Sequence, residues 1–193
     1  MSLLQVSARQ QLLADMGLYK GKVDGVEGPQ TKAAYMELQK KYFVRTKDID
    51  GKYGANTDTL LRNLFGFGKA PHFNITEFKC KCGGKYCTGY PAVIDFRLLE
   101  GLEKIRNEYG KPVKIKSGFR CKSWNSLQKG SSPTSRHCEG KAADIHIDGT
   151  TTTVNGRSKL IAYWYATVKG RYAYGNINGS HPNMGSSVHV DVK

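Results

Sequence analysis

Residues 135–144 read Ser135-Arg136-His137-Cys138-Glu139-Gly140-Lys141-Ala142-Ala143-Asp144, and a second stretch reads Val188-His189-Val190-Asp191-Val192. Side chains alternate faces along a strand. In 188–192, therefore, His189 and Asp191 share one face and the three valines share the other. Ala142–Asp148 alternates in the same way, with Asp144, His146 and Asp148 opposed to Ile145 and Ile147. Two strands that each set imidazole and carboxylate groups above an apolar underside form a rigid sheet able to hold metal ligands. The small residues Gly140, Ala142 and Ala143 let the turn from His137 fold back onto that sheet. His137, Asp144 and His189 then supply two neutral imidazoles and a carboxylate. Catalytic zinc takes three such protein donors and keeps a fourth position open.

Outward from this pair of strands, Val93–Tyr109 predicts a helix with Leu98, Leu99, Leu102, Ile105 and Tyr109 on one face. Gly110 is its stop, and Pro112 lies just beyond. Pro112–Lys116 alternates like a half-buried strand, and Leu160–Val168 reads as a short apolar helix. The polar stretches Lys122–Thr134 and Gly170–Asn183 are expected as loops that shape a pocket. All five cysteines, Cys80, Cys82, Cys87, Cys121 and Cys138, fall in this part of the chain. Their odd number, with no visible export signal, argues against a disulfide framework. Cys80, Cys82, Cys87 and Cys121 offer four thiolates, enough for a second, structural metal. The Cys-x-Cys-x4-Cys spacing departs from the paired Cys-x2-Cys of common zinc sites, so they are read first as reduced structural cysteines. Cys138 is expected to point away from the metal.

The first 65 residues carry an internal repeat. Asp24-Gly25-Val26-Glu27-Gly28-Pro29-Gln30-Thr31 recurs as Asp50-Gly51-Lys52-Tyr53-Gly54-Ala55-Asn56-Thr57, with Asp, Gly, Gly and Thr matching at a 26-residue offset. Asp-Gly supplies a tight turn, and Pro29 suits the first turn of a helix, where its missing N–H is no loss. Amphipathic segments follow each unit: Ala34, Tyr35, Leu38 and Tyr42 after the first, Leu60, Leu61, Leu64 and Phe65 after the second. An earlier segment presents Val6, Leu12, Leu13 and Met16 before Gly17. Three short helices around a small core are expected, and Gly66-Phe67-Gly68-Lys69-Ala70-Pro71 reads as a linker.

With 193 residues, 39% of them hydrophobic, the chain can bury a core. No apolar stretch approaches the roughly 18 residues that span a bilayer, and residues 1–20 lack the features of a secretory signal. The net charge of +14 is uneven: residues 1–71 carry 11 basic and 7 acidic side chains, residues 72–193 carry 19 and 9. Such a field attracts polyanions. No nucleic-acid reading motif or aromatic–basic platform accompanies it, so nucleic acid is not expected as a partner.

Two resemblances follow from these motifs. Residues 3–65, through Gly17-Leu18-Tyr19, the two Asp-Gly units and Gln39, resemble the three-helix type of peptidoglycan-binding domain. Residues 72–193, through Ser117-Gly118-Phe119-Arg120, Ser135-x-His137-x-x-Gly140-x-Ala142-Ala143-Asp144 and His189-x-Asp191, resemble the zinc D-alanyl-D-alanine carboxypeptidases and their L-alanyl-D-glutamate endopeptidase relatives, whose fold is shared with hedgehog signalling domains. The resemblances imply an α+β protein. A three-helix unit spans 1–65, a linker 66–71, and a peptidase domain with a mostly antiparallel sheet 72–193. They further imply Zn2+ on His137, Asp144 and His189, Arg120 polarising the scissile carbonyl, and Ser117, Ser135 and His181 beside the substrate. Relatives place an acid three residues before the last histidine ligand, or a histidine two before it; here those positions are Ser186 and Ser187. The general base then falls to Asp191, which shares a strand face with His189, or Asp191 only orients a ligand. His181 and Glu139 are outside candidates for the base. The implied function is that of a monomeric phage-type endolysin. It would be made in the host cytoplasm without a signal peptide and would cut a peptide bond of peptidoglycan by zinc-activated water. The alternatives are a bacterial autolysin, a D-Ala-D-Ala carboxypeptidase of the same family, or a non-catalytic wall-binding module with structural zinc.

Overall fold

The structure, a computed structural model, describes residues 2–168 and 172–193. Helices α1 (Val6–Asp15), α2 (Pro29–Tyr42) and α3 (Ala55–Phe67) occupy the first part of the chain. Pro29 takes the first position of α2. Leu13, Ala34, Tyr35, Leu38, Leu60 and Leu61 are buried, whereas Phe65, placed on the apolar face by its spacing, is 52% exposed. Its ring lies beneath the Lys69 ammonium, 4.7 Å from the centroid, a pairing open to a ring at the surface.

The repeat has a physical cause. In each unit the Asp-Gly turn wraps around one buried glutamine amide. Gln10 Oε1 accepts from the backbone N–H of Asp24 (3.1 Å) and Gly25 (2.8 Å), while its Nε2 donates to Asp24 Oδ1 and Val26 O. Gln39 Oε1 accepts from Asp50 N (3.0 Å) and Gly51 N (2.8 Å), and its Nε2 donates to Asp50 Oδ1 and Lys52 O. Gly25 (φ 76°) and Gly51 (φ 67°) take the left-handed conformation that the turn needs and that a side chain would strain.

The stretch expected as a short linker, 66–71, is packed. Helix α3 continues through Phe67, and Phe67 and Ala70 are buried. Asn63, on α3, donates from Nδ2 to Ala92 O (2.9 Å) and accepts at Oδ1 from Ile94 N (2.7 Å). Buried side chains from both parts join in one continuous apolar core.

The remaining elements are α4 (Phe96–Tyr109), β1 (Lys114–Ser117), α5 (Lys122–Asn125), β2 (Ala142–His146), α6 (Val154–Thr167), β3 (Tyr172–Gly175) and β4 (Val188–Asp191). Helix α4 begins three residues later than its apolar periodicity predicts. The Asp95 side chain accepts from Arg97 N and caps it there, and Gly110 ends it in the left-handed conformation. Helix α6 begins earlier than predicted, behind a Thr153 cap. Strand β2 stops at His146 because Ile147 O accepts from Thr150 N and Thr151 N, turning the chain before Asp148.

The strands form one antiparallel sheet in the order β1-β2-β4-β3. Strand β4 is central, and its register sets Asp144 of β2 on one side of His189 and Tyr174 of β3 on the other. Leu160 and Trp164 of α6 are buried beneath the sheet, and the indole Nε1 donates to Asp191 O at 3.2 Å. Among the described residues, no helix is long and apolar enough to cross a membrane.

Candidate active site

Three separate segments bring His137, Asp144 and His189 together. His137 lies on a 3-10 turn, Arg136–Glu139, ended by Gly140 at φ 72°. A Cβ at Gly140 would stand 2.3 Å from Val93 O, so only glycine allows this return toward the sheet. Asp144 and His189 face each other across β2 and β4. His137 Nε2 is 3.3 Å from Asp144 Oδ1, and His189 Nδ1 is 2.9 Å from the same oxygen. All three residues are buried.

The donor set fits zinc. His137 Nδ1 donates to Gly118 O at 2.7 Å; a carbonyl can only accept, so Nε2 carries the lone pair and faces Asp144. Arg120 Nη2 donates to that same Nε2 at 3.2 Å. Tetrahedral zinc with bonds near 2.0–2.1 Å holds neighbouring ligand atoms about 3.3 Å apart, close to the spacings found here. The carboxylate is held ionised. Burial pushes the Asp144 pKa up, but the two imidazoles beside it, His137 and His189, outweigh it and keep the group well below the usual carboxylate range. Burial pushes His137 down, favouring the neutral, ligating form. For His189 burial also acts downward, yet Asp144 and Asp191 together hold it above its ordinary value.

The cluster forms the floor of a cleft of about 510 Å³. Arg120 lies on its wall, donating to Asp144 Oδ2 at 2.6 Å and from Nε to Ser117 Oγ at 3.0 Å. Ser117 thus meets the site through Arg120, while Ser135 and His181 line the cleft directly. Asp191 is engaged on both oxygens: Oδ2 is 3.2 Å from His189 Nε2, and Oδ1 accepts from Tyr172 N at 3.2 Å. That is the geometry of a group that orients a histidine. Glu139 turns outward and pairs with Lys141 at 3.5 Å. From the two expected pocket loops, Gln128–Ser132, Thr134, Tyr172, Tyr174, His181 and Asn183 line the cleft, and residues 170–171 lie outside the described residues.

Tyr174 and Arg136, both lining the cleft, escape a reading of the sequence. Tyr174 stacks on His189, with ring centroids 4.5 Å apart and planes at 21°, and it also lies beside His181 at 4.4 Å and Tyr172 at 5.5 Å. Arg136 brings Nε to 3.8 Å from Asp191 Oδ2 and donates from Nη1 to Val192 O. The alternation Tyr172-Ala173-Tyr174-Gly175 is the signal that could have revealed β3. Arg136 carries no such signal beyond its position beside His137.

A second group of potential metal donors lies apart from the cleft floor: Cys80, Cys82, Cys87 and Cys121 each offer a sulfur within 4.8 Å of the others. Cys138 is free and half-buried.

Over 60 residues the chain is 42% identical to a Nostoc punctiforme protein named as an OxPP cycle protein, OpcA. The match takes in 31% of this chain and 12% of that protein, so the likeness concerns a segment. The peptidase M15 profile matches residues 71–174, which contain Arg120, His137 and Asp144. By that match, the chain belongs to the peptidase M15 family, a family of metallopeptidase-type hydrolases.

Proposed function

We propose that the protein is a zinc peptidase that hydrolyses a peptide bond in the stem peptide of bacterial peptidoglycan, in the manner of an endolysin. The observation that carries this reading is the convergence of His137, Asp144 and His189, with ligand atoms within 4.8 Å of one another, on the floor of an open cleft. Zinc held there supplies Lewis acidity, acidifying a water and polarising a carbonyl. The protein's own groups do the rest. Gly118 O fixes the His137 tautomer, and Asp191 fixes the ring of His189. The Arg120 guanidinium stands within reach of an oxygen lodged beside Asp144, where it stabilises developing negative charge. Arg120, Lys129 and Arg136 give the cleft a cationic wall suited to the carboxylates of a stem peptide. Asp191, with both oxygens engaged, acts as a positioning residue rather than as the base.

The N-terminal helices serve as the wall anchor in this reading. Between the two Asp-Gly turns lies a groove of about 620 Å³ lined by Glu27, Lys32, Met36, Asp50 and Tyr53, a mix of polar edges and one aromatic ring that suits a glycan. The +14 charge adds attraction to anionic wall polymers, which salt weakens.

The test is digestion of purified sacculi by the zinc-loaded protein, with mass spectrometry of the released fragments. Peptide-bond cleavage that Asp144→Asn abolishes while sacculus binding persists is the expected result. Intact stem peptides after wild-type digestion, or full cleavage by the variant, would overturn the proposal. The masses also separate D-Ala-D-Ala trimming from endopeptidase cleavage.

A further inference from the structure

Four thiols from three stretches of chain meet behind the turn that carries Arg120. Cys80 and Cys82 follow a 3-10 turn at Ile75–Phe78, Cys87 closes the loop after them, and Cys121 is the residue next to Arg120. The spacing alone does not bring them together; backbone pairing does. Phe119 N donates to Phe78 O at 2.7 Å and Cys80 N to Gly89 O at 2.8 Å, which ties the 117–121 turn and the 80–89 loop side by side.

The sulfurs are arranged as a ligand set. All four lie within 4.8 Å of one another, and Cys82 and Cys87 are 3.5 Å apart. Tetrahedral zinc thiolates, with Zn–S near 2.3 Å, place sulfurs about 3.8 Å apart, whereas a disulfide needs about 2.05 Å. Two sulfurs receive backbone N–H groups, Cys80 from Cys121 N and Cys87 from Gly89 N, each at 3.4 Å. Such donors favour the thiolate, the form that binds metal. Lys79, Lys81, Lys85 and Lys122 flank the cysteines along the chain.

We propose that Cys80, Cys82, Cys87 and Cys121 bind a structural Zn2+ distinct from the metal of the cleft. This ion staples the 80–89 loop to the turn that presents Gly118 and Arg120. It also reaches the chain just past α2, because the same loop accepts at Thr88 O from Val44 N at 3.1 Å. Thiolate donors select zinc over the hard cations magnesium and calcium.

Metal analysis of the full-length chain, purified without chelator, tests the site. Wild type is expected to carry two zinc ions per chain, one for each donor group, and Cys87→Ser and His189→Ala one each. Cysteine variants can misfold, so the wild-type chain reconstituted with Co2+ gives an independent reading. An intense thiolate-to-cobalt charge-transfer absorption is expected, and it should persist in His189→Ala. Amide exchange at 80–89 and 117–121 should accelerate together when Cys87 is replaced. The proposal is overturned by a wild-type cobalt protein without the thiolate band, by disulfides in the purified chain, or by zinc content unchanged in Cys87→Ser. One zinc that disappears with His189→Ala overturns this site and leaves the peptidase reading standing. Zinc retained in full by His189→Ala and lost with Cys87→Ser supports this site and removes the other.

Discussion

Two kinds of buried polar cluster occur in this chain, and they are built on opposite principles. Around Gln10 and Gln39 every donor meets an acceptor inside the protein: one amide oxygen takes two backbone N–H groups, and one amide nitrogen gives to a carboxylate and a carbonyl. Around Asp144, lone pairs converge. His137 Nε2 and His189 Nδ1 both crowd Asp144 Oδ1, at 3.3 and 2.9 Å, at the foot of a cleft. A closed network satisfies itself and acts as scaffold. A convergent one is stable when a cation shares its lone pairs, and so it acts as a site. The first kind can repeat along a sequence, as it does here; the second is assembled from distant segments.

The contrast is broken most forcefully at Asp144. Asp144→Asn keeps the volume of the side chain but removes the charge that balances a divalent ion. Loss of several kcal/mol of metal-derived transition-state stabilisation corresponds to roughly a thousandfold or more in rate. Thermal unfolding should change far less than turnover. An Asn variant that hydrolyses wall peptides at the wild-type rate would place the chemistry elsewhere.

Asp191 sharpens the same contrast, since it is the closed part of the open cluster. Its oxygens are taken by His189 Nε2 and Tyr172 N. If it orients His189, Asp191→Asn should weaken zinc affinity by roughly 10–100-fold and leave turnover largely restored at saturating zinc. Calorimetric titration with Zn2+ measures this directly. Unaltered affinity with collapsed turnover would return Asp191 to the role of general base.

The scaffold should respond in the opposite sense. Gln39→Ala strips Asp50 N and Gly51 N of their acceptor, and each buried group left unpaired costs about 1–3 kcal/mol. For a chain of this size each kcal/mol lowers the thermal midpoint by roughly 2–4 °C. Turnover per folded molecule should stay at the wild-type level. Calorimetry beside a peptidase assay would show whether stability and activity separate in this way.

How far the sequence reveals these clusters depends on how local their causes are. The helices α1 to α4 and the strands β1, β2 and β4 announce themselves through apolar period, Gly110 and strand alternation; the faces of β2 and β4 bring Asp144 and His189 together, and the glycine and alanines after His137 let its turn fold back to them. The Asp-Gly repeat is visible, but its reason is not: Gln10 and Gln39 stand 29 residues apart while the turns are offset by 26, so the two glutamines do not align as part of the repeat. Strand β3 is short and lies in a polar stretch, and its Tyr174 acquires meaning only once it is paired beside His189. The cysteines illustrate the same limit. Counting thiols already groups Cys121 with Cys80, Cys82 and Cys87, but their spacing gives no physical reason for it; the hydrogen bond from Phe119 N to Phe78 O does.

The smallest expected effect lies in the charge of the two turns. Asp24 Oδ1 accepts from Val26 N, and Asp50 Oδ1 from Lys52 N, each at 2.9 Å. These backbone bonds, with help from Gln10 and Gln39, hold both carboxyls below their ordinary value of 3.8. A depressed pKa means that the folded state prefers the ionised form. The stabilisation is therefore complete above the unfolded value and fades as pH falls through the folded one. Both groups are solvated, so the effect is modest. The double variant Asp24→Asn/Asp50→Asn keeps an acceptor oxygen in each turn and removes only the titration. Its thermal midpoint should lie slightly below wild type at neutral pH, and the gap should close as pH drops below about 4. A gap that stays constant down to about pH 3 would mean that the turns draw on the shape of the side chain alone, and that even the closed clusters owe nothing to charge.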